Sequence, residues 1–258
     1  MDLNNSTAIV TGGASGIGAA SARALAARGA TVIIADLNAD LGEALAAEIN
    51  GVFAQLNVTD TDQITEVVEQ AAAIAPLKAL VNSAGIANGI RTIGRDGKIE
   101  SAFPMDKFTA VIQVNLIGTF DMIRQAATVM SRNEPDANGQ RGAIVNMASV
   151  AAFDGQIGQV AYSFSKGGVV GATLPLARDL SGVGIRVNTI APGLIDTPIY
   201  NSFPDPEAMK AQLGESVLFP KRLGTGAELA SMVVELITND YMNAETIRVD
   251  GGIRLPPK

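Results

Sequence analysis

The chain contains no histidine and no cysteine among its 258 residues. Without cysteine there can be no disulfide, thiolate metal site or thiol nucleophile. Without histidine the Ser-His-Asp triad, the H-E-x-x-H zinc site and imidazole-bound metals are excluded. A carboxylate site for Mg²⁺ or Ca²⁺ survives in principle, but no D-x-[DN]-x-[DN]-G loop occurs, and no metal is expected. Positive charge is also in deficit. Nineteen basic residues face 26 acidic ones, for a net charge of −7, which argues against the basic face that nucleic-acid binding needs. Long hydrophobic runs are missing: "GGVVGATLPLA" is too short to span a bilayer as a helix. The opening "MDLNNSTAIVTGG" has neither a charged n-region nor a long apolar h-region, so no secretory signal is expected. These absences predict a soluble cytoplasmic protein with no membrane or nucleic-acid partner.

What is present suits a compact globule: 47% hydrophobic residues against 17% charged. Short β-branched runs alternate with longer Ala/Leu-rich amphipathic segments. Strands are expected at 7–11, 31–36, 51–58, 78–85, 142–149, 184–193 and 246–252. Helices follow the first to about Arg28, then run over 38–50 and 60–74, with more between the later strands. Near-continuous apolar strands separated by helices imply a parallel sheet covered on both faces. The expectation is therefore one α/β domain over 1–258, a doubly wound Rossmann-type sheet of about seven strands. Two segments interrupt the rhythm. One, 85–104, has glycines at 85, 89, 94 and 97; the other, within 194–224, has prolines at 204, 206 and 220. Both follow expected strands, where ligands bind in such sheets, so both read as substrate loops.

"TGGASGIG" (11–18) follows the first strand and opens a helix. Its glycines do not fit G-x-G-x-x-G, yet Gly12 can make the tight turn, and Gly16 and Gly18 let backbone approach a phosphate at a helix N-terminus. A mere strand-to-helix turn would look similar. Asp36 ends the second strand, where an acidic side chain bonds the adenosine ribose hydroxyls and repels a 2′-phosphate. An ordinary turn aspartate is the alternative. Ser15 and Leu37, the neighbours that would otherwise hold that phosphate, are not basic, and NAD is the expected cofactor.

"YSFSK" (162–166) places a tyrosine and a lysine four residues apart, on one face of a helix. A half-exposed amphipathic face could carry the same pair. The chemistry favours a site. A free phenol has a pKa of about 10, too high for a base at neutral pH. An adjacent ammonium, with a cationic nicotinamide ring, would lower it, so Tyr162 could exchange a proton with a substrate alcohol or carbonyl. That supplies acid–base capacity to a chain without histidine.

Taken in order, "TGGASGIG", Asp36, "NSAG" (82–85), Asn115 in "VNLIG", Ser149 in "NMASV", "YSFSK" and "APGLIDTP" (191–198) resemble the short-chain dehydrogenase/reductase family over essentially the whole chain. The resemblance implies a catalytic tetrad of Asn115, Ser149, Tyr162 and Lys166. Ser149 and Tyr162 would bind the reacting oxygen, Lys166 would hold the nicotinamide ribose, and Asn115 would anchor a water in a proton relay. It implies a cofactor cleft formed by Gly12, Ser15, Gly16, Ile17, Gly18, Asp36, Asn57, Val58, Ser83, Ala84, Gly85, Tyr162, Lys166, Pro192, Gly193, Ile195 and Thr197. It also implies a homotetramer, with interface elements around 104–131, 158–181 and the segment "TIRVDGGIRL". Two positions depart from the family. Asn82-Ser83-Ala84-Gly85 replaces Asn-Asn-Ala-Gly, and Asn57 stands for a common aspartate, its amide oxygen expected to accept from the adenine amino group.

"NEPDANGQRG" (133–142), "ASVAAFDGQIGQVAYS" (148–163), "TLPLARDL" (173–180) with Pro175 inside an expected helix, and the extended loop at 85–104 are similar to the type II 3-hydroxyacyl-CoA dehydrogenase branch. The implied substrate is a 3-hydroxyacyl-CoA, interconverted with the 3-oxoacyl-CoA. Arg91, Arg95, Lys98 and Lys107 could meet the CoA phosphates, and Ile195, Tyr200, Phe203 and Leu218 could cover a short acyl chain. The competing readings are a 3-oxoacyl-carrier-protein reductase, a steroid or polyol dehydrogenase, and a non-catalytic dinucleotide-binding subunit.

Overall fold

The computed structural model describes residues 1–198, 200 and 204–257. Phe203, one of the expected acyl-covering residues, lies outside them. Seven strands, β1 (Ser6–Thr11), β2 (Ala30–Asp36), β3 (Val52–Gln55), β4 (Leu77–Asn82), β5 (Gly142–Met147), β6 (Ile185–Pro192) and β7 (Thr246–Val249), form one sheet. Its order is β3-β2-β1-β4-β5-β6-β7, and every pairing is parallel. The order reverses between β1 and β4, which opens a crevice beyond their carboxyl ends.

The central strands bury both faces, which explains their unbroken apolar runs. One face carries α1 (Gly16–Ala26), α2 (Ala39–Ile49) and α8 (Gly226–Thr238), whose Ala22, Leu25, Leu45, Leu229 and Val233 pack on Ala8, Val10, Ile34 and Val145. The other carries α3 (Thr61–Ile74), α5 (Thr119–Met130) and α6 (Val160–Ser181), with Ile64, Met122, Met130 and Ala177 against Ile9, Leu80 and Ile144. Helix starts are written locally. Asn38 caps α2, Asp60 caps α3, and Thr225 with Glu228 forms a capping box on α8. Pro175 lies inside α6, which continues to Ser181.

Two expectations are corrected. β3 stops at Gln55 instead of reaching residue 58, because Asn57 turns the chain: its Oδ1 accepts from the Thr59 N–H and hydroxyl. The segment 201–224, expected as a loop, contains α7 (Pro206–Glu215). There Pro206 occupies the first helical turn, where its missing N–H costs nothing, and Asp205 accepts from Ala208 N.

At the amino edge of the sheet, buried Arg186 of β6 donates to Leu236 O and Ile237 O of α8, to Met242 O and to Gln140 Oε1. Its guanidinium closes the carboxyl end of α8, whose last carbonyls have no partner within the helix. Among the described residues, no helix is long and apolar enough to cross a membrane.

Candidate active site

A cleft of about 710 Å³ opens at the carboxyl edge of the sheet. Its floor is the glycine turn between β1 and α1. Gly12 has φ +60°, and a Cβ there would lie 2.8 Å from the backbone of Ala84. Only glycine lets the two loops meet this closely. Gly18 serves packing: a Cβ on it would sit 2.0 Å from Gly12 O. Thr11 draws the loop after β4 alongside, its Oγ1 accepting from Ser83 N and Ala84 N. Ser15 is the N-cap of α1 and makes no capping bond, so the first-turn N–H groups face the cleft mouth without a side-chain acceptor.

Asp36 reaches into this turn. Its Oδ2 accepts from Ala14 N and its Oδ1 from Asn38 N, each at 3.0 Å. The carboxylate therefore lines the cleft and also holds the glycine turn in place.

The opposite wall comes from β5 and α6. Ser149 follows β5 and accepts from Ala151 N at 3.1 Å, capping a short 3₁₀ turn over Val150–Ala152. Tyr162, in the first turn of α6, lines the same cleft as Ser149. Lys166, one turn further on, is 5% exposed and donates from Nζ to Met147 O at 2.7 Å. Its Nζ lies 5.8 Å from the centre of the Tyr162 ring. Burial lowers the Lys166 ammonium to about 8. Burial also raises the Tyr162 phenol, with the Ser149 side chain opposing. The lowered phenol expected from the nearby ammonium is thus not a property of the chain alone, because desolvation is the largest influence on it.

Of the residues expected to hold a cofactor, Gly12, Ser15, Gly16, Ile17, Asp36, Asn57, Val58, Ser83, Ala84, Gly85, Tyr162, Lys166, Pro192, Gly193, Ile195 and Thr197 all line this cleft, as does Ser149. Gly18 and Asn115 do not. Gly18 lies beneath the turn. Asn115 sits in a π-helical segment, Gln113–Gly118, between α4 (Met105–Ile112) and α5. Its amide accepts from Ile86 N and donates to Ile86 O and to Ser165 Oγ, tying the loop after β4 to α6. Asn57 differs from expectation as well. Its Oδ1 already takes two hydrogen bonds from Thr59, which leaves its Nδ2, a donor, for the cleft.

Leu56, Ile86, Ala87, Val114, Met147, Ala148 and Pro198 line the cleft without having been singled out from sequence. Most flank a motif at a strand end, and that position was the available signal. Ile195 and Tyr200 line the cleft, whereas Leu218 is exposed away from it. Burial, followed by the nearby Asp196 and Tyr162, raises the Tyr200 phenol. Arg91, Arg95, Lys98 and Lys107 are exposed on and beside the 85–104 loop. That loop is pinned to α6 by edge-to-face ring contacts, Phe103 with Phe108 and Phe108 with Phe164, at 6.2 and 5.7 Å between centroids. No group of three or more acidic ligands that could hold a metal ion occurs among the described residues.

A family model described as enoyl-(acyl carrier protein) reductase matches residues 12–254. The chain is 47% identical over 253 residues to a rat protein named 3-hydroxyacyl-CoA dehydrogenase type-2, covering 97% of this chain and 95% of the relative. It is 45% identical to a Drosophila melanogaster protein of the same name, covering 99% and 100%. The crystal structure of 3-hydroxyacyl-CoA dehydrogenase type-2 from Mycobacterium avium superposes with a TM-score of 0.92 at 43% identity, over 98% of both chains.

Proposed function

Because the chain belongs to the short-chain dehydrogenase/reductase family, we propose that it is an NAD-dependent dehydrogenase interconverting short-chain 3-hydroxyacyl-CoA and 3-oxoacyl-CoA thioesters. The observation that carries this reading is the convergence of Ser149, Tyr162 and Lys166 on one cleft with a side-chain-free glycine turn and Asp36. The residues fit a dinucleotide. Gly12 and Gly16, at φ +60° and +51°, let the turn pass close against Ala84 and Thr197 at the cleft floor, the first turn of α1 offers N–H groups to a pyrophosphate, and Asp36 offers a carboxylate to ribose hydroxyls. A 2′-phosphate at that position would meet the same negative charge, which favours NAD over NADP. When bound, the nicotinamide supplies the hydride acceptor or donor.

The chain's own groups handle the proton. Tyr162 takes the hydroxyl proton of the substrate in oxidation and returns it to the carbonyl oxygen in reduction, while Ser149 hydrogen-bonds that oxygen. Lys166, as a buried ammonium, stabilises the phenolate form of Tyr162 and offers N–H donors to a ribose. Asn115 acts as a positioning residue, since both amide hydrogens and one oxygen lone pair are already spent on Ile86 and Ser165.

The CoA assignment rests on the named relatives and on the local concentration of Arg91, Arg95, Lys98 and Lys107 in a chain of net charge −7. Oxidation of NADH by acetoacetyl-CoA, followed by absorbance, tests it. The CoA ester should outperform the same acyl group on pantetheine, and charge reversal at Arg91 and Arg95 should raise KM for the full ester. Equal use of the fragment, or much faster turnover of a steroid or sugar alcohol, would remove CoA and leave the dehydrogenase. A homotetramer is part of the same proposal: Ile117 and Phe120, with Phe164 and Leu174 of α6, stay exposed on helix surfaces that assembly would cover. Light scattering that returns a monomer at micromolar concentration would reject it.

A further inference from the structure

Ser149 and Tyr162 are joined by a twelve-residue connection whose course is set by residues remote from the cleft. Two residues beyond the 3₁₀ turn that follows Ser149 lies Asp154, whose N–H reaches back to Val150 O at 2.9 Å. Gly155 lies so close to Ser163, next to Tyr162, that a Cβ on it would stand 2.3 Å from Ser163 Oγ. Asp154 therefore sits at the midpoint of a short rigid link between the two hydroxyls.

From β7, Arg248 reaches this link. Its guanidinium donates to Asp154 Oδ2 at 3.0 Å, to Asp250 Oδ2 at 2.7 Å and to Ile253 O at 2.9 Å, and it lies 5.3 Å from the centre of the Phe153 ring. Arg254 adds a weaker contact to both carboxylates. The segment beyond β7 then runs beside the link, with Ile157 N donating to Pro257 O and Gln156 Nε2 to Pro256 O, each at 3.0 Å. Asp250 also backs the other wall of the cleft: a Cβ on Gly193 would lie 2.7 Å from Asp250 Cα. The side chains of Arg248, Asp154 and Asp250 are 22, 24 and 9% exposed, so this cluster is shielded from solvent, unlike an ordinary surface ion pair.

We infer that Arg248, with Asp154 and Asp250, is a positioning cluster for the reaction: it fixes the spacing of Ser149 and Tyr162 through the 150–157 link without touching substrate or cofactor. The inference rests on the proton-transfer role given above to Tyr162 and Ser149. A planar fork is required to reach two carboxylates and a carbonyl at once, which a lysine ammonium on its flexible stem does less well.

The test compares Arg248→Met, Arg248→Lys and the isosteric Asp154→Asn with the wild type, reading kcat, KM for acetoacetyl-CoA, NADH affinity by fluorescence, and Tm. Displaced reacting groups lower kcat by roughly 10–100-fold in Arg248→Met and Asp154→Asn, with NADH affinity held within about twofold and part of kcat restored in Arg248→Lys. Wild-type kcat in folded Arg248→Met overturns the proposal. So does a parallel loss of kcat, NADH affinity and Tm in both Arg248→Met and Asp154→Asn, which is the mark of general unfolding. If Arg248→Met does not fold, Asp154→Asn decides alone, because it preserves shape. Tyr162→Phe is run alongside: wild-type turnover there would instead overturn the proton-transfer reading, so the two failures are told apart.

Discussion

Replacing Lys166 by Met should make the ligand-free protein more stable at neutral pH while destroying its activity. Lys166 is 5% exposed, and burial holds its ammonium at about 8 against an ordinary 10.5. At about 1.4 kcal/mol per pH unit, carrying that charge costs the folded state about 3 kcal/mol at pH 7. Met has a similar length and no charge. The substitution forfeits the hydrogen bond to Met147 O, worth about 1 kcal/mol for one carbonyl lone pair. The net gain is about 2 kcal/mol, or about 4–8 °C in Tm for a chain of this size. The pH dependence identifies the cause. Because the folded-state pKa lies below the unfolded one, the penalty is complete below about pH 8 and disappears as pH rises from 8 to 10.5. Thermal unfolding by circular dichroism at pH 7 and pH 10.5 reads both terms. A variant that melts at or below the wild type at pH 7, or a Tm difference that does not shrink toward pH 10.5, refutes the reasoning.

Tyr162→Phe should abolish turnover and leave NADH binding nearly unchanged. In the wild type the raised phenol implies that oxidation rises with pH, since it needs the phenolate, while reduction, which needs the phenol, is sustained at neutral pH; a pH–rate profile in both directions checks the signs. The wild type should prefer NAD to NADP. Asp36→Ala should narrow that preference while also weakening NAD, because Ala14 N loses its acceptor; kcat/KM with each cofactor measures both effects. Gly18→Ala should cost several-fold or more in dinucleotide affinity, or prevent folding, because its Cβ would stand 2.0 Å from Gly12 O; titration calorimetry with a Tm control distinguishes the two.

The sheet was legible because period and punctuation agree along most of the chain. Runs such as Ala8–Val10 and Ile33–Ala35 are buried on both faces and read as parallel strands. Asn38 and Asp60 mark helix starts in the sequence itself. Where local signals conflict, the reading erred. Val52 to Val58 is apolar enough for a longer strand, but Asn57 bends it into a turn. The prolines at 204 and 206 read as a loop, whereas Pro206 opens a helix. In the site, spacing along one helix located Tyr162 and Lys166. Properties set by distant partners were invisible: the Ile86 and Ser165 bonds of Asn115 span 29 and 50 residues. Desolvation of Tyr162 likewise depends on the packed cleft and not on its neighbour at i+4.

Arg186, closing the end of α8 at the amino edge, gives the molecule two edges of different chemical temperament. A guanidinium keeps its proton throughout the range in which proteins work, so the carbonyls of Leu236 and Ile237 never lose their donor to alkali. At the carboxyl edge, Lys166 gives up its charge near pH 8. Mild alkali therefore retunes the chemistry through Lys166 while leaving Arg186 bound to the carbonyls on which the end of α8 rests.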